Sequence, residues 1–259
     1  MLRLVKIDLK RGLLSWSFLF ALIIGLMASF YGTLSSISLS EVDVISLFTK
    51  ASGDTSTAIY AILTYIIVQI PFAASYVTER NNKYLNLILS KTNNKNYLLS
   101  RFISNFLVGG ILLSTTLVIV LGILSIFFPF CANFNLYVTN QSFKGYFEPV
   151  FLHSPLAYCF MIIGFNFLFG GTYASLGLAI SSIANNKYIT IAGPFVFSII
   201  CTFILEFLNL QFLLPATCLV PSYVPNATIF TIMGQMVVLT FISLSLFIFG
   251  FFKKGDIYA

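Results

Sequence analysis

Glu206 is the only acidic residue within the long apolar stretches of this sequence, which makes it the first residue to consider for chemistry. An ionised carboxylate at the centre of a bilayer costs about 2.5–3.5 kcal/mol on insertion scales, so intramembrane acids are default candidates for a functional role. Glu206 stands near the end of its stretch, where the cost is smaller. Two interpretations stay open. It is either a polar residue of a transport pathway or, as its position favours, a carboxylate at the membrane surface that bonds to Asn209.

Short catalytic motifs are missing from the sequence. There is no HExxH and no GxSxG, and no glycine is followed directly by lysine, which excludes a Walker A motif. One histidine, His153, cannot build a multi-histidine metal site, and the four cysteines have no CxxC spacing. We therefore expect a non-catalytic chain without a cofactor or metal of its own. Whether Cys131 and Cys218 form a disulfide stays open.

The composition indicates a helical membrane protein. Of the 259 residues, 58% are hydrophobic and 8% are charged, whereas a soluble domain has about 25% charged residues. The apolar residues form long uninterrupted runs, which distinguishes them from the alternating segments of about ten residues in a transmembrane β-barrel. The net charge of +6 does not indicate nucleic-acid binding, because the basic residues are distributed between the apolar runs.

Six apolar stretches are long enough to cross a bilayer, which takes about 20 helical residues. None contains lysine or arginine, and twelve of the chain's fourteen Lys and Arg residues fall in alternate connecting segments. The positive-inside rule then places both termini in the cytosol of a multi-pass plasma-membrane protein. The predicted spans are 13–31, 57–77, 105–128, 156–180, 189–208 and 231–252.

Four smaller features complete the predicted architecture. Residues 1–12 have an apolar and a basic face, which favours a helix lying at the inner membrane surface. The segment 209–230 has three prolines and an apolar run too short to cross, so it is either a loop resting on the outer surface or, as we favour, a re-entrant segment. Pro71 predicts a kink in the second span. Gly170 and Ala174 have the spacing of close helix packing.

The segment 79–101, ERNNKYLNLILSKTNNKNYLLSR, is the largest predicted cytosolic loop and holds five lysine and arginine residues. Tyr84, Leu87 and Ile88 have helical spacing, and Lys83 and Lys91 flank them, which predicts a short amphipathic helix on the inner surface. Physical reasoning alone leaves two roles open for this helix. It is either an anchor to anionic lipid headgroups or a docking element for a protein.

Six spans with cytosolic termini, the basic lead-in helix and this loop together resemble the type-2 permeases of ABC exporters over nearly the whole chain. In that family the loop has an acid, a glycine, a leucine-rich patch, a Pro-Ser-Arg-like turn and a basic residue that opens the third span. The counterparts here are Glu79, Asn82 in place of the glycine, residues 85–89, residues 90–92 without the proline, and Arg101.

The resemblance implies one permease domain over residues 1–259, paired with a second permease copy or paralogue and with cytosolic ABC ATPase subunits that bind the ATP. The loop 181–188 would be a second ATPase contact, and 209–230 would match the family's re-entrant helices. The cargo would be hydrophobic or amphipathic (a peptide, drug or lipid), as for bacterial drug or antimicrobial-peptide exporters. The implied ATPase-coupling residues are Glu79, Arg80, Lys83, Tyr84, Leu87, Ile88 and Lys91.

Two other functions stay open at the level of the sequence. A self-contained secondary transporter or channel usually shows paired buried charges or repeats with broken helices, and neither is evident in the sequence. A membrane scaffold without transport activity is the second alternative. The sequence selects neither the cargo nor the choice between homodimer and heterodimer.

Overall fold

A computed structural model of the chain describes residues 1–34, 43–53, 59–90, 92–130, 146–219 and 227–255. All regular elements among these residues are helical. The α-helices are α1 (Leu2–Leu13), α2 (Trp16–Leu34), α3 (Val44–Ala51), α4 (Ile59–Ile67), α5 (Ala73–Asn81), α6 (Tyr84–Leu89), α7 (Asn94–Phe127), α8 (Glu148–His153), α9 (Pro155–Ile183), α10 (Lys187–Phe207) and α11 (Ile229–Gly255). Two short 3-10 turns, Gln211–Leu213 and Pro215–Cys218, precede α11.

Within the described residues, four helices are long and apolar enough to cross a membrane: α7, α9, α10 and α11. A fifth crossing results if α1 and α2, which are bent by 56° relative to each other, are counted as one span. The membrane-embedded, all-helical class is therefore confirmed, whereas the count of six spans is not. α7 has 34 residues and a length of about 51 Å, so it reaches well beyond a hydrocarbon core of about 30 Å.

The predicted span 57–77 is not a continuous helix. α4 ends at Ile67 and α5 begins at Ala73, and the turn between them contains Gln69 and Pro71. Proline has no N–H to donate, which favours a helix break at this point. The fully buried Gln69 side chain replaces part of the lost hydrogen bonding, because its amide nitrogen donates to the carbonyl oxygen of Tyr173 at 2.8 Å. The break is thereby held against α9.

α9 forms the centre of the bundle and packs against α5, α7, α10 and α11. Its most apolar segment is 67% buried, compared with 17% for α10 and 22% for α11. α7 and α9 approach closely where Gly109 faces Gly170, since a Cβ atom on Gly109 would lie 2.6 Å from the Gly170 carbonyl oxygen and 2.5 Å from the Ala174 methyl group. The packing role predicted for Gly170 and Ala174 is confirmed.

Basic side chains gather at one end of this bundle. We use the name basic end for the region formed by α1, the end of α5, α6, the start of α7, the turn at residues 184–186 with the first residue of α10, and the end of α11. These elements contact one another through hydrogen bonds and a shared apolar cluster. The opposite end holds α3, α8 and the 3-10 turns. Basic residues of the basic end are Arg3, Lys6, Lys10, Arg11, Arg80, Lys83, Lys95, Arg101, Lys187 and Lys253.

The segment before α11 folds back into the bundle. In its described part the Leu219 side chain is fully buried, and its carbonyl oxygen accepts a hydrogen bond from the Asn166 amide at 3.2 Å. The Cys218 thiol is also buried and donates to Oε1 of the Gln235 side chain at 3.3 Å. Residues 220–226 and Cys131 lie outside the described residues, so the re-entrant segment stays a prediction and the pairing of Cys131 with Cys218 stays open.

Candidate functional site

The predicted loop 79–101 is divided among three helices rather than forming one surface loop. Glu79 and Arg80 belong to the last turn of α5, and Arg101 lies within α7, which begins at Asn94 and therefore absorbs the last third of the predicted loop. Lys83, with a φ of +58°, reverses the chain between α5 and α6. Such a φ is uncommon for a residue other than glycine, so this tight connection constrains where α6 points.

Arg101 is the centre of a buried ionic cluster at the basic end. Its Nη1 lies 3.3 Å from Asp8 Oδ1 on α1, and its Nη2 lies 3.3 Å from Glu79 Oε1 on α5. Nη2 also donates to the Ser75 hydroxyl, and the guanidinium stacks 4.0 Å from the centre of the Phe72 ring. Arg101 thus bonds to α1 and α5 from a position on α7, with only 1% of its surface exposed.

Arg11 completes the cluster from its rim. Its guanidinium donates to the same Glu79 oxygen that Arg101 contacts, and it is 54% exposed whereas Glu79 is 4% exposed. Two carboxylates and two guanidiniums therefore balance in charge, as burial requires. Burial raises the pKa of the Asp8 carboxyl above its ordinary value of 3.8. The positive charge of Arg101 opposes this rise, and the negative charge of Glu79 adds to it.

A cavity of about 430 Å³ lies beside the cluster, between α1, α6 and α7. Polar groups line its inner wall. In the described part of the chain, Glu79 Oε2, Arg101 Nε and the Tyr97 hydroxyl have no hydrogen-bond partner. Leu4, Ile7 and Ile88 contribute apolar lining. The cavity therefore separates α1 from α6, and both helices pack on α7.

Arg80 attaches α5 to the end of α9. Its Nη1 donates to the carbonyl oxygens of Ser182 at 2.8 Å and Ser181 at 3.2 Å, and its Nη2 donates to the carbonyl oxygen of Ala184 and to Asn185 Oδ1 at 3.2 Å. The last carbonyl groups of a helix lack partners within the helix and carry its negative dipole end. The buried guanidinium satisfies these groups and fixes the α9–α10 turn relative to α5.

α6 is the short helix predicted around Tyr84, Leu87 and Ile88, and it has one anchored and one exposed face. Leu85 is 1% exposed and belongs to the apolar cluster that includes Tyr97 and Phe251. Ile88 packs on the same cluster. Tyr84 and Leu87 are 50% and 63% exposed. We call Lys83, Tyr84 and Leu87 the α6 surface.

The predicted coupling residues therefore separate into two groups. Lys83, Tyr84 and Leu87 are exposed together, whereas Glu79 and Arg80 are buried and bonded inside the basic end. Lys91 lies outside the described residues. Both groups come from the same 23-residue segment, but only the first is accessible to a partner protein.

Glu206 lies far from this site. It is exposed in the last turn of α10, next to Phe207, whereas the basic end contacts α10 at its first residues. The backbone N–H of Asn209 donates to the Glu206 carbonyl oxygen at 3.0 Å. The structure does not bring Glu206 together with the buried ionic cluster.

Sequence reasoning missed Asp8, Arg11 and Ser75 as members of the cluster. The available signal was Asp8, which is the only acid in an otherwise basic N-terminal segment and lies one helical turn before Arg11. Within the ranges that the structure describes, no group of three or more His, Cys, Asp or Glu side chains could hold a metal ion.

The chain was also compared with known proteins. No family model, curated protein or solved structure matches it. The buried ionic cluster, the Arg80 contacts and the α6 surface are therefore the features on which a functional proposal rests.

Proposed function

We propose that the chain is the membrane-spanning permease subunit of an ATP-driven exporter of the type-2 ABC class, with a hydrophobic or amphipathic cargo. The membrane-length helices and the gathering of basic residues at one end support this proposal, because such asymmetry accompanies a cytosolic face. In this proposal both termini are cytosolic, and α4 and α5 together form the second of six crossings as a broken helix.

The exposure of the α6 surface is the main observation that supports the proposal. A short helix at the basic end exposes Tyr84 and Leu87 next to Lys83, while Leu85 holds the helix on the bundle. Aromatic anchors are enriched in protein interfaces, and an apolar pair on a rigid helix is suited to a pocket of a partner. Because the chain has no Walker A motif, the partner we propose is a cytosolic ABC ATPase, with a second permease copy beside this one.

The buried contacts connect α6 mechanically to the rest of the bundle. α6 follows α5 and precedes α7, and the two flanking helices are joined by the ion pair of Glu79 and Arg101. Arg80 extends the connection to the α9–α10 turn. When the ATPase subunits close, a displacement of α6 moves α5 and α7 together and carries α1 and the turn with them. The helices around the cargo pathway then tilt as one body.

Association with an ATPase is the decisive test. The chain is purified from its native membranes in mild detergent, and co-purifying proteins are searched for a chain with a Walker A motif. We expect Leu87→Glu and deletion of residues 83–91 to abolish recovery of this ATPase, whereas Lys6→Glu, at another exposed site on α1, retains it. Recovery that is unchanged by both alterations of α6 would leave this helix a lipid anchor and would remove the main support for the proposal.

One observation favours a secondary transporter as the second candidate. The break between α4 and α5, with the buried Gln69 amide at its centre, is a feature of transporters whose discontinuous helices line a binding site. Transport in vesicles distinguishes the two functions. An ATP-driven exporter stops when ATP is removed, whereas a secondary transporter continues until the ion gradient is dissipated.

A further inference from the structure

A lateral cleft separates α10 from α11 on the membrane-facing surface. Both helices pack on α9 rather than on each other, and a cavity of about 480 Å³ opens between them. Tyr173 of α9 lies at its inner wall, Cys201 and Leu205 line one side, and Val238 lines the other. Leu213, in the first 3-10 turn, also lines the cavity, at the end of the bundle opposite the basic end.

Uncharged side chains line this cleft, and the one hydroxyl without a partner among the described residues, on Tyr173, is buried at its inner wall. No charged side chain lines it. The Gln235 side chain is occupied, because its amide nitrogen donates to the Leu213 carbonyl oxygen at 2.8 Å and its oxygen accepts from the Cys218 thiol. The Thr231 hydroxyl donates to the Thr228 carbonyl oxygen at 2.8 Å. The Tyr173 hydroxyl, on a side chain that is 2% exposed, has no partner among the described residues.

A missing side chain helps to create this space. Gly234 lines the cleft on α11, and a Cβ atom built there would have no neighbour within 4 Å. The volume lies within the range of about 300–1,000 Å³ that is typical of small-molecule sites, and such sites combine apolar walls with a few fixed polar groups. The cleft has both properties.

We propose that this cleft binds a single apolar chain of an amphiphile, with an uncharged oxygen of the molecule accepting a hydrogen bond from Tyr173. The uncharged lining excludes a phosphate or ammonium headgroup from the cleft itself, because an unpaired charge among apolar side chains is strongly disfavoured. α10 and α11 are largely exposed at the membrane level, so an acyl or similar chain enters directly from the bilayer.

Selectivity in this site cannot come from the hydrophobic effect, because lipid tails are as apolar as the cleft. Selectivity comes from the fit of the amphiphile's apolar chain between α10 and α11 and from the Tyr173 hydroxyl. The inference needs only the membrane-embedded helices, so it stands whether or not an ATPase drives the protein.

Photolabelling of the full chain in nanodiscs tests this site. The first probe is the methyl ester of palmitic acid with a diazirine group on its chain, and labelled residues are mapped by mass spectrometry. We expect saturable labelling of cleft residues. Gly234→Leu and Cys201→Phe fill the cleft from opposite sides and are each expected to reduce labelling at least fivefold. Gly164→Leu, also at a glycine with open space but outside the cleft lining, leaves labelling unchanged.

Two further arms define the ligand. A phospholipid with a diazirine on one acyl chain labels the same residues if the source is the bilayer, whereas labelling by the methyl ester alone identifies a free single-chain amphiphile. Tyr173→Phe is expected to weaken competition by unlabelled methyl palmitate roughly two- to tenfold, the effect of one hydrogen bond, and to leave competition by hexadecane unchanged.

Labelling by both probes that does not saturate, that spreads to exposed residues such as Ile200 and Phe241, and that is the same in both filled variants would show that the cleft only borders bulk lipid.

Discussion

Glu79 and Arg101 form an ion pair inside the basic end, with Arg101 Nη2 3.3 Å from Glu79 Oε1 and with 4% and 1% of the two side chains exposed. The pair joins α5 to α7 on either side of the short helix α6. Since Asp8 and Arg11 add a second carboxylate and a second guanidinium from α1, three helices meet around four charges. The arrangement binds the segments next to α6 into one rigid unit.

Removal of one member of this pair is expected to destabilise the protein strongly. Arg101→Met leaves the buried Glu79 carboxylate with only the rim residue Arg11, and loss of one partner of a buried pair typically costs about 3–5 kcal/mol. The thermal unfolding midpoint in detergent should fall well below that of wild type. Arg3→Met, an exposed arginine on α1, is the matched control.

The double variant Glu79→Gln with Arg101→Met separates charge imbalance from lost packing. It removes both charges, so its midpoint should lie above that of Arg101→Met alone. A double variant that is as unstable as the sum of the two single variants would show that the two residues act independently.

Asp8 gives the cluster a defined pH dependence. Burial raises the pKa of its carboxyl above the ordinary value of 3.8, so the folded state binds this proton more tightly than the unfolded state does. The resulting stability is fully present below about pH 3.8 and is lost as the pH rises through the folded-state pKa. Asp8→Asn mimics the protonated form, and we expect it to match wild type at low pH and to exceed its unfolding midpoint near neutral pH.

Thermal unfolding of both proteins between acidic and neutral pH measures this difference. A gap between Asp8→Asn and wild type that widens with increasing pH agrees with the raised pKa. If Asp8→Asn is less stable at neutral pH, the attraction between Asp8 and Arg101 outweighs burial, and the pKa of the carboxyl is lowered instead.

Arg80 is expected to control the order of the α9–α10 turn. Arg80→Gln removes the donor to three backbone carbonyl groups at the end of α9, and each buried acceptor left without a partner costs about 1–3 kcal/mol. Faster hydrogen exchange should appear in residues 181–188 before it appears elsewhere in the bundle. Lys95→Ala, at an exposed lysine of α7, should leave this exchange unchanged. Equal exchange in both variants would show that other contacts hold the turn.

The sequence predicted the long helices well because their signal is local. Uninterrupted apolar runs predict α7, α9, α10 and α11 without knowledge of their neighbours, and Tyr84, Leu87 and Ile88 predict α6 from their spacing. The broken second span was predicted only as a kink at Pro71. A break of five residues is tolerated because Gln69 bonds to α9, about 100 positions further along the chain, and this contact leaves no local pattern.

The site was harder to predict for the same reason. Lysine and arginine in a polar loop look alike in sequence, yet Arg80 is buried against a helix end and Lys83 is exposed. Which basic residue turns inward depends on the partner that the fold supplies. For Arg101 those partners are Asp8, 93 residues earlier in the chain, and Glu79. Charge counting identifies the segment but cannot assign the roles within it.

The contact between Gly109 and Gly170 is expected to tolerate no added side chain, because backbone atoms face each other there. A methyl group on Gly109 would lie 2.5 Å from Ala174 Cβ and 2.6 Å from the Gly170 carbonyl oxygen, so Gly109→Ala forces α7 and α9 apart. Gly122→Ala makes the same change in the same helix with no atom within 4 Å. The unfolding midpoint should fall for the first variant and not for the second. Equal midpoints would show that α7 shifts at no cost.

Docking and transmission should be separable if α6 couples an ATPase to the bundle. The double variant Glu79→Gln with Arg101→Met keeps the α6 surface but removes the ion pair between α5 and α7. We therefore expect the ATPase to co-purify with it as with wild type, while stimulation of ATP hydrolysis by the permease in proteoliposomes falls about fivefold or more, the lower range of coupling between distant sites. Leu87→Glu should instead lose the ATPase altogether, because the exposed face of α6 is altered and the cluster is intact. If the double variant stimulates ATP hydrolysis fully, movement of α6 reaches the bundle without the ion pair. The contacts of Arg80 with the α9–α10 turn would then be the remaining connection.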